Sequence, residues 1–297
     1  MVGAQHRHLH VAGDVAGRHD PDQGARAVDH QGGRPSPPTA TAPRGPSVGT
    51  VPRRVLLPIP DQDFDVTEVA VPWHYLTEAG HRVVFATESG GTPPAADQRL
   101  LDGVLFGQLG AADGPKALYR RLQDDLAYRH PVDWGSVDPA AFDGLLLPGG
   151  HAPGMRQYLG SAELREAVAA FWQLGRPVGA ICHGVLVLAR TDDPATGRSV
   201  LADRQTTCLT KPMERGAYLA TAWRLGRYYR TYPAYVEDEV VAALADRSQF
   251  TRGPLGLARD TPGSDDQGFT VLDGNYLSAR LPGDAHTFAR RFTELLG

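Results

Sequence analysis

Cysteine is scarce in this chain: Cys182 and Cys208 are the only two among 297 residues. Two thiols leave no disulfide framework, which suits a reducing cytoplasm. No apolar run approaches the ~18 residues that a membrane-spanning helix needs. The net charge is only −4, which argues against a nucleic-acid partner and against attraction to an anionic membrane. No glycine-rich phosphate loop is present either, since Gly149-Gly150 lacks the G-x-x-x-x-G-K pattern. Residues 1–50 contain no Phe, Trp or Tyr and no apolar period, so they are expected to be a disordered extension. A secretory signal would need an apolar stretch that is missing there, and Asp14, Asp20, Asp22 and Asp29 oppose an organellar transit peptide. His6, His8 and His10 alternate in a way that could hold a metal, but a solvated tail explains them.

The rest of the chain has what a normal core requires, at 41% hydrophobic and 22% charged residues overall. Strand-like and helix-like stretches alternate from residue 51 onward, predicting one α/β domain. The reading runs strand 54–60, helix 66–79, strand 82–86, strand 144–147, helix 161–174 and strand 177–181. A further strand is expected at 206–209 and partial helix over 211–230. Helix 236–245, a hairpin pairing 269–272 with 276–279, and helix 285–296 complete the order. Between about 88 and 141 lies an insertion too long for a simple connection, read as a cap.

One cysteine stands in a telling place. Pro177–Ile181 reads as a short apolar strand, Cys182 follows, and Val185–Ala189 reads as an apolar helix. A nucleophile at such a sharp strand-to-helix turn is lifted clear of the sheet, as in the G-x-S-x-G elbow. The helix N-terminus behind it is expected to favour thiolate over thiol. A second strand, Gly144–Leu147, ends in Pro148-Gly149-Gly150-His151. Glycine lets backbone N–H groups approach a reacting oxygen closely. The N–H groups near Gly150 and of His183 are therefore oxyanion-hole candidates, each such donor typically contributing ~3 kcal/mol. A third segment supplies a carboxylate: Glu68 falls in the first turn of the helix after the first strand.

Together these segments resemble the ThiJ/PfpI superfamily over about residues 53–297. The matching pieces are the Glu68 segment, Leu145–His151, Ala180–Gly184 and the closing strand Asn275–Arg280. The resemblance implies a flavodoxin-like three-layer α/β sandwich with a mostly parallel sheet. It also implies a cysteine at the elbow and a glutamate hydrogen-bonded to it, here Cys182 and Glu68. His183 follows the cysteine as it does in that superfamily, and is the candidate base. In the glyoxalase III and heat-shock chaperone branch, the segment after the next strand gives an acidic residue to that histidine. Glu214 is the position that matches, although a surface salt bridge also explains it. Class I glutamine amidotransferases instead draw histidine and glutamate from a downstream H-x-E pair. The only later histidine here, His286, lacks that glutamate.

The resemblance to the glyoxalase III branch implies an enzyme on small reactive carbonyls, converting methylglyoxal to lactate without glutathione, metal or nucleotide. A cysteine hydrolase of small amides or peptides uses the same elements, and a stress-response holdase or oxidation sensor would use Cys182 mainly as an oxidisable thiol. A small-molecule substrate is the expected partner, and a homodimer is left open. His74 and Glu78, four apart on the first helix with His81 beyond, have metal-ligand spacing. Trp73 and Leu76 beside them make an ordinary amphipathic helix the preferred reading. Tyr228, Tyr229 and Tyr232 are read as packing rather than as a pocket.

Overall fold

The computed structural model describes residues 51–103, 109–256, 259–264 and 267–297. The expectations for residues 1–50, including the His6–His10 alternation, lie outside the described residues. In chain order the elements begin with β1 (Arg54–Pro58), β2 (Gln62–Phe64), α1 (Val66–Glu78), β3 (Arg82–Thr87), β4 (Ala95–Ala96) and α2 (Gln98–Asp102). Then come α3 (Asp113–Leu122), α4 (Leu126–Arg129), β5 (Val132–Asp133), β6 (Gly144–Leu147), α5 (Met155–Gly160), α6 (Ala162–Gln173) and β7 (Val178–Ile181). A three-residue 3-10 turn, Cys182–Gly184, leads into α7 (Val185–Ala189). The chain continues with α8 (Lys211–Leu225), α9 (Val236–Ala243), β8 (Thr270–Asp273), β9 (Tyr276–Ala279) and α10 (Ala285–Leu296).

The central sheet has seven strands in the order β5-β3-β1-β6-β7-β9-β8. Every pairing is parallel except that of β8 with β9. Strands β1, β6 and β7 are buried along almost their whole length. Their unbroken Val/Leu/Ile character, rather than alternation, follows from having helices on both faces. On one face lie α1 and α10, whose Phe288 and Phe292 pack against β7 at Gly179. On the other lies α6, with Leu164 and Val168 facing Leu56 and Leu145. This is the flavodoxin-like three-layer sandwich that the resemblance implied.

Helix α1 is buried nearly all round, at Val66, Val69, Ala70, Val71, Trp73 and Leu76, because α3 and α10 flank it. Its start is fixed by Asp65, whose carboxylate accepts from the N–H groups of Thr67 (2.8 Å) and Glu68 (3.2 Å). An aspartate in this capping role typically contributes ~1 kcal/mol. The segment read as a cap supplies more than a cover. Strand β5 extends the sheet beyond β3, and Trp134 is buried with its indole N–H donating to Ala86 O (3.1 Å). Leu100, Leu109, Gly110 and Ala111 of the same segment reach the cavity described below.

The expected strand at 206–209 is not formed; only an isolated bridge links Thr206 to Phe250. The edge of β9 that this segment would have joined is already taken by β8 in the hairpin. Side chains make the connection instead, with Thr207 N–H donating to Ser278 Oγ (3.0 Å) and Thr206 Oγ1 against Tyr276 Oη (2.9 Å). Among the described residues, no helix is long and apolar enough to cross a membrane.

One close approach governs the elbow. A methyl group on Gly184 would lie 2.2 Å from Leu147 O and 2.6 Å from Pro148 O, so only glycine lets the turn seat on the end of β6. The variant Gly184→Ala is expected to lose at least 1–3 kcal/mol, roughly the usual cost of overpacking, read as a lower urea midpoint at unchanged m-value. An unchanged midpoint would mean that the turn does not need this contact.

Candidate active site

The carboxyl ends of β1, β6 and β7 deliver three segments to one edge of the sheet, where α/β folds bind ligands. The turn after β7 places Cys182 at φ +59°. A non-glycine residue there is strained by ~1–3 kcal/mol, a strain that the flanking strand pairings and the Gly184 contact hold in place. From β6 comes Gly149, whose N–H donates to Glu68 Oε2 (2.7 Å) while its carbonyl accepts from Asp65 N–H (3.0 Å). A methyl group on Gly149 would lie 2.7 Å from His183 N, 2.9 Å from Glu68 Oε2 and 3.0 Å from Cys182 Cβ. The glycine is thus the gap through which carboxyl, thiol and elbow amide meet.

Cys182 is 3% exposed and Glu68 is fully buried. The two side chains are in contact, which raises the thiol and lowers the carboxyl, and Glu68 Oε1 has no other hydrogen-bond partner among the described residues. Burial first, then the charges of Glu68 and Asp65, push the Cys182 thiol well above its ordinary value. The expectation of a thiolate favoured by the helix N-terminus is therefore corrected. The His183 N–H does act in that direction, but desolvation outweighs it. Glu68 is itself raised well above the carboxylate range, mainly by burial and then by Asp65. Asp65, also buried, is pushed up to about 6.

His183 Nδ1 lies 3.4 Å from Cys182 Sγ, and its Nε2 lies 3.4 Å from Thr231 Oγ1. Thr231 commits its one hydroxyl proton to His151 O (2.8 Å), so toward His183 it can only accept. That fixes the proton on Nε2 and leaves the Nδ1 lone pair toward the sulfur. Burial, with His151 and Arg190 adding to it, takes His183 down to about 3, so the ring is neutral across the physiological range.

Glu214, expected to orient His183, makes no such contact; Thr231 occupies that place. The Glu214 carboxylate instead accepts from Val236 N–H (3.0 Å) at the start of α9 and sits 3.7 Å from Arg230 Nε. The reason is its position in the first turn of α8, facing α9 rather than the elbow. It still lines the cavity above Cys182. Gly150 has a φ of +151° and packs against Met155, Asp65 N and Asp63 O, whereas the glycine beside the His183 amide is Gly149.

His151, read only as the end of the glycine loop, proves to be part of the site. It stacks on Tyr229 (ring centroids 4.2 Å) and has a buried Nε2 with no partner among the described residues. Burial takes it down to about 3. Tyr229 lines the cavity rather than merely packing, whereas Tyr228 is buried with its hydroxyl donating to Asp97. Nothing in the sequence marks Thr231, which lies 48 positions from His183. His286, the residue weighed for an amidotransferase relay, sits against Tyr75 (3.4 Å).

The metal spacing on α1 does not become a site. His74 pairs with Glu78 (3.7 Å), and His81 Nδ1 accepts from Arg53 N–H instead (3.2 Å). Among the described residues, no group of three His, Cys, Asp or Glu side chains is arranged to hold a metal ion.

The fold and this site define a cysteine-elbow α/β protein. A family model described as ThiJ/PfpI family-like matches residues 59–254, and the chain belongs to that family. It is 30% identical over 184 residues to an uncharacterised protein of Schizosaccharomyces pombe, covering 60% of this chain and 67% of the relative. It is 26% identical over 234 residues to the deglycase PfpI of Pyrococcus furiosus, covering 79% and 94%. Among solved structures, the glyoxalase III of Candida albicans superposes with a TM-score of 0.57 at 19% identity, over 82% of this chain and 97% of that one.

Two measurements follow from these electrostatics. Because the Glu68 carboxylate raises the Cys182 thiol, Glu68→Gln should move the pH midpoint of iodoacetamide alkylation downward; superimposable curves would mean that the two groups do not sense each other. For Glu214, burial raises the pKa from 4.5 to about 7. A raised carboxyl contributes its stability below the unfolded value, and that contribution is lost as pH rises through the folded one. From pH 4.5 to 7, wild type should therefore lose up to about 3 kcal/mol relative to Glu214→Gln in urea melts. A constant difference across that window would refute the shift.

Proposed function

We propose that this protein is a cysteine-dependent enzyme acting on small reactive carbonyls, in the manner of a glutathione-independent glyoxalase. The observation that carries this reading is the buried meeting of Cys182, Glu68 and His183 at the Gly149 gap, open to a cavity. The names of relatives support the same chemistry: a deglycase by sequence and a glyoxalase III by fold.

In the proposed reaction, Cys182 Sγ attacks the aldehyde carbon of methylglyoxal. Its proton passes to Glu68, a stronger base than an ordinary carboxylate because burial raises it, and from there to the carbonyl oxygen. The product is a hemithioacetal, its oxygen near the N–H groups of His183 and Gly150. Glu68 then takes the proton from the first carbon and returns one to the second, giving a lactoyl thioester through an enediol. Water cleaves the thioester, releasing lactate and restoring the thiol. Neutral His183, held in one tautomer by Thr231, keeps its Nδ1 lone pair available to the sulfur. Glu214 is placed outside this relay.

A second reading has one observation in its favour. Leu219 and Trp223 on α8 are 63% and 74% exposed, an apolar strip of the kind a holdase presents. Holdase activity that survives Cys182→Ser would favour it.

The direct test is incubation with methylglyoxal in the absence of glutathione, followed by assay for lactate. Wild type is expected to form lactate, and Cys182→Ser to lose about 10³-fold or more in rate at unchanged thermal stability. Equal rates in the two proteins would sink the assignment.

A further inference from the structure

The cavity above Cys182 is larger than a three-carbon dicarbonyl requires. It measures about 460 Å³, whereas an apolar cavity of ~150 Å³ already holds benzene. Its polar groups gather around the thiol. His151 presents the unpartnered Nε2, Tyr229 stacks on His151, and Arg259 and Asp65 line the same cavity. Away from that end the wall is mostly apolar, with the Glu214 carboxyl of α8 as the exception. Met213, Ala217 and Ala220 fall on one stripe of α8 at i, i+4 and i+7, and Leu100, Leu255 and Leu281 stand elsewhere around the same cavity. Glu214 and Thr221 are the only buried residues of α8. The apolar stripe is therefore not consumed by packing within the protein.

We propose that the substrate is a carbonyl compound with an apolar body of about six to ten carbons, an alkyl or aryl 2-oxoaldehyde, sized to this cavity. The proposal rests on the reading of Cys182 as the nucleophile toward a carbonyl. The carbonyl group lies between Cys182 and His151, where Nε2 can hydrogen-bond its oxygen, and the body lies along Met213, Ala217 and Ala220. In the addition step an S–C bond forms and the carbonyl π bond opens. The thiol proton passes through Glu68 to the oxygen, and no oxidant or second reactant is needed.

Two readouts separate this proposal from the reading beneath it. The first is kcat/KM for methylglyoxal, phenylglyoxal and 2-oxooctanal. Each methylene buried should raise it about fourfold until the cavity is filled. The second needs no turnover: protection of Cys182 from iodoacetamide by acetone, acetophenone and 2-octanone. Half-protecting concentrations are expected to fall steeply along that series in wild type, and the fall should be much reduced in Ala217→Phe, which fills the α8 stripe. Length-dependent protection with no hydroxy-acid product from any oxoaldehyde would overturn the glyoxalase reading while keeping the apolar ligand class. Protection independent of length would overturn the apolar class even if methylglyoxal were turned over. A length dependence unchanged in Ala217→Phe would do the same, since the ligand would then lie elsewhere.

Discussion

The contact of Gly184 with the end of β6 is the constraint on which the site depends. The elbow can hold Cys182 at positive φ only because β7 is pinned between β6 and β9 on one side of the turn. On the other side, Gly184 sits against the carbonyls of Leu147 and Pro148. Those carbonyls belong to the residues just before Gly149. The contact that bends the chain at the cysteine therefore also sets where the Gly149 N–H points, and hence where Glu68 is anchored. A backbone approach closer than any side chain allows thus aligns two strand ends and one helix start. No long-range hydrogen bond between side chains is needed to do so, which keeps the thiol and the carboxyl free for other contacts.

Burial, rather than the helix terminus, decides the charge state of the pair. The elbow opens with a three-residue 3-10 turn and a five-residue helix, and so short an element offers little dipole to set against desolvation. Thiol and carboxyl are both raised because each would have to hold its charge away from water, with the charge of Glu68 adding to the effect on the thiol and that of Asp65 to the effect on Glu68. The resting pair is therefore poised to pass a proton rather than to store a thiolate. A substrate that accepts the proton on its own oxygen relieves the conflict, which is why the proposed addition suits a carbonyl better than a permanently ionised cysteine would. Neutral His183 fits the same logic: Thr231 fixes its tautomer, and no cation is buried beside the sulfur.

The space around that chemistry is assembled from parts far apart in sequence. Leu100 and Ala111 come from the long segment before β6, Met213 and Ala217 from α8, and Leu255 and Leu281 from the connections around the terminal hairpin. Glu214 sits among them but is turned toward α9, where it satisfies Val236 N–H. Its two contacts illustrate how an acidic residue at a plausible distance along the chain can belong to helix capping rather than to a catalytic relay.

The sequence by itself determined the elements that carry strong local signals. Unbroken apolar runs named β1, β6 and β7, because strands covered on both faces admit no polar alternation. Small residues around Cys182 marked the elbow, because only they fit a turn that tight, whereas the pairing of Glu68 with it came from the resemblance to the ThiJ/PfpI superfamily. The helix 285–296 and the strand 144–147 were legible to the residue. Tertiary structure alone decided the rest. Whether 206–209 became a strand depended on β8 already holding the edge of β9. The partner of His183 depended on where a loop 48 residues later came to lie, and a threonine hydroxyl carries no pattern that distinguishes such a role. The charge on Cys182 depended on how much water the fold excludes, a quantity that belongs to the packed molecule and to no stretch of its sequence.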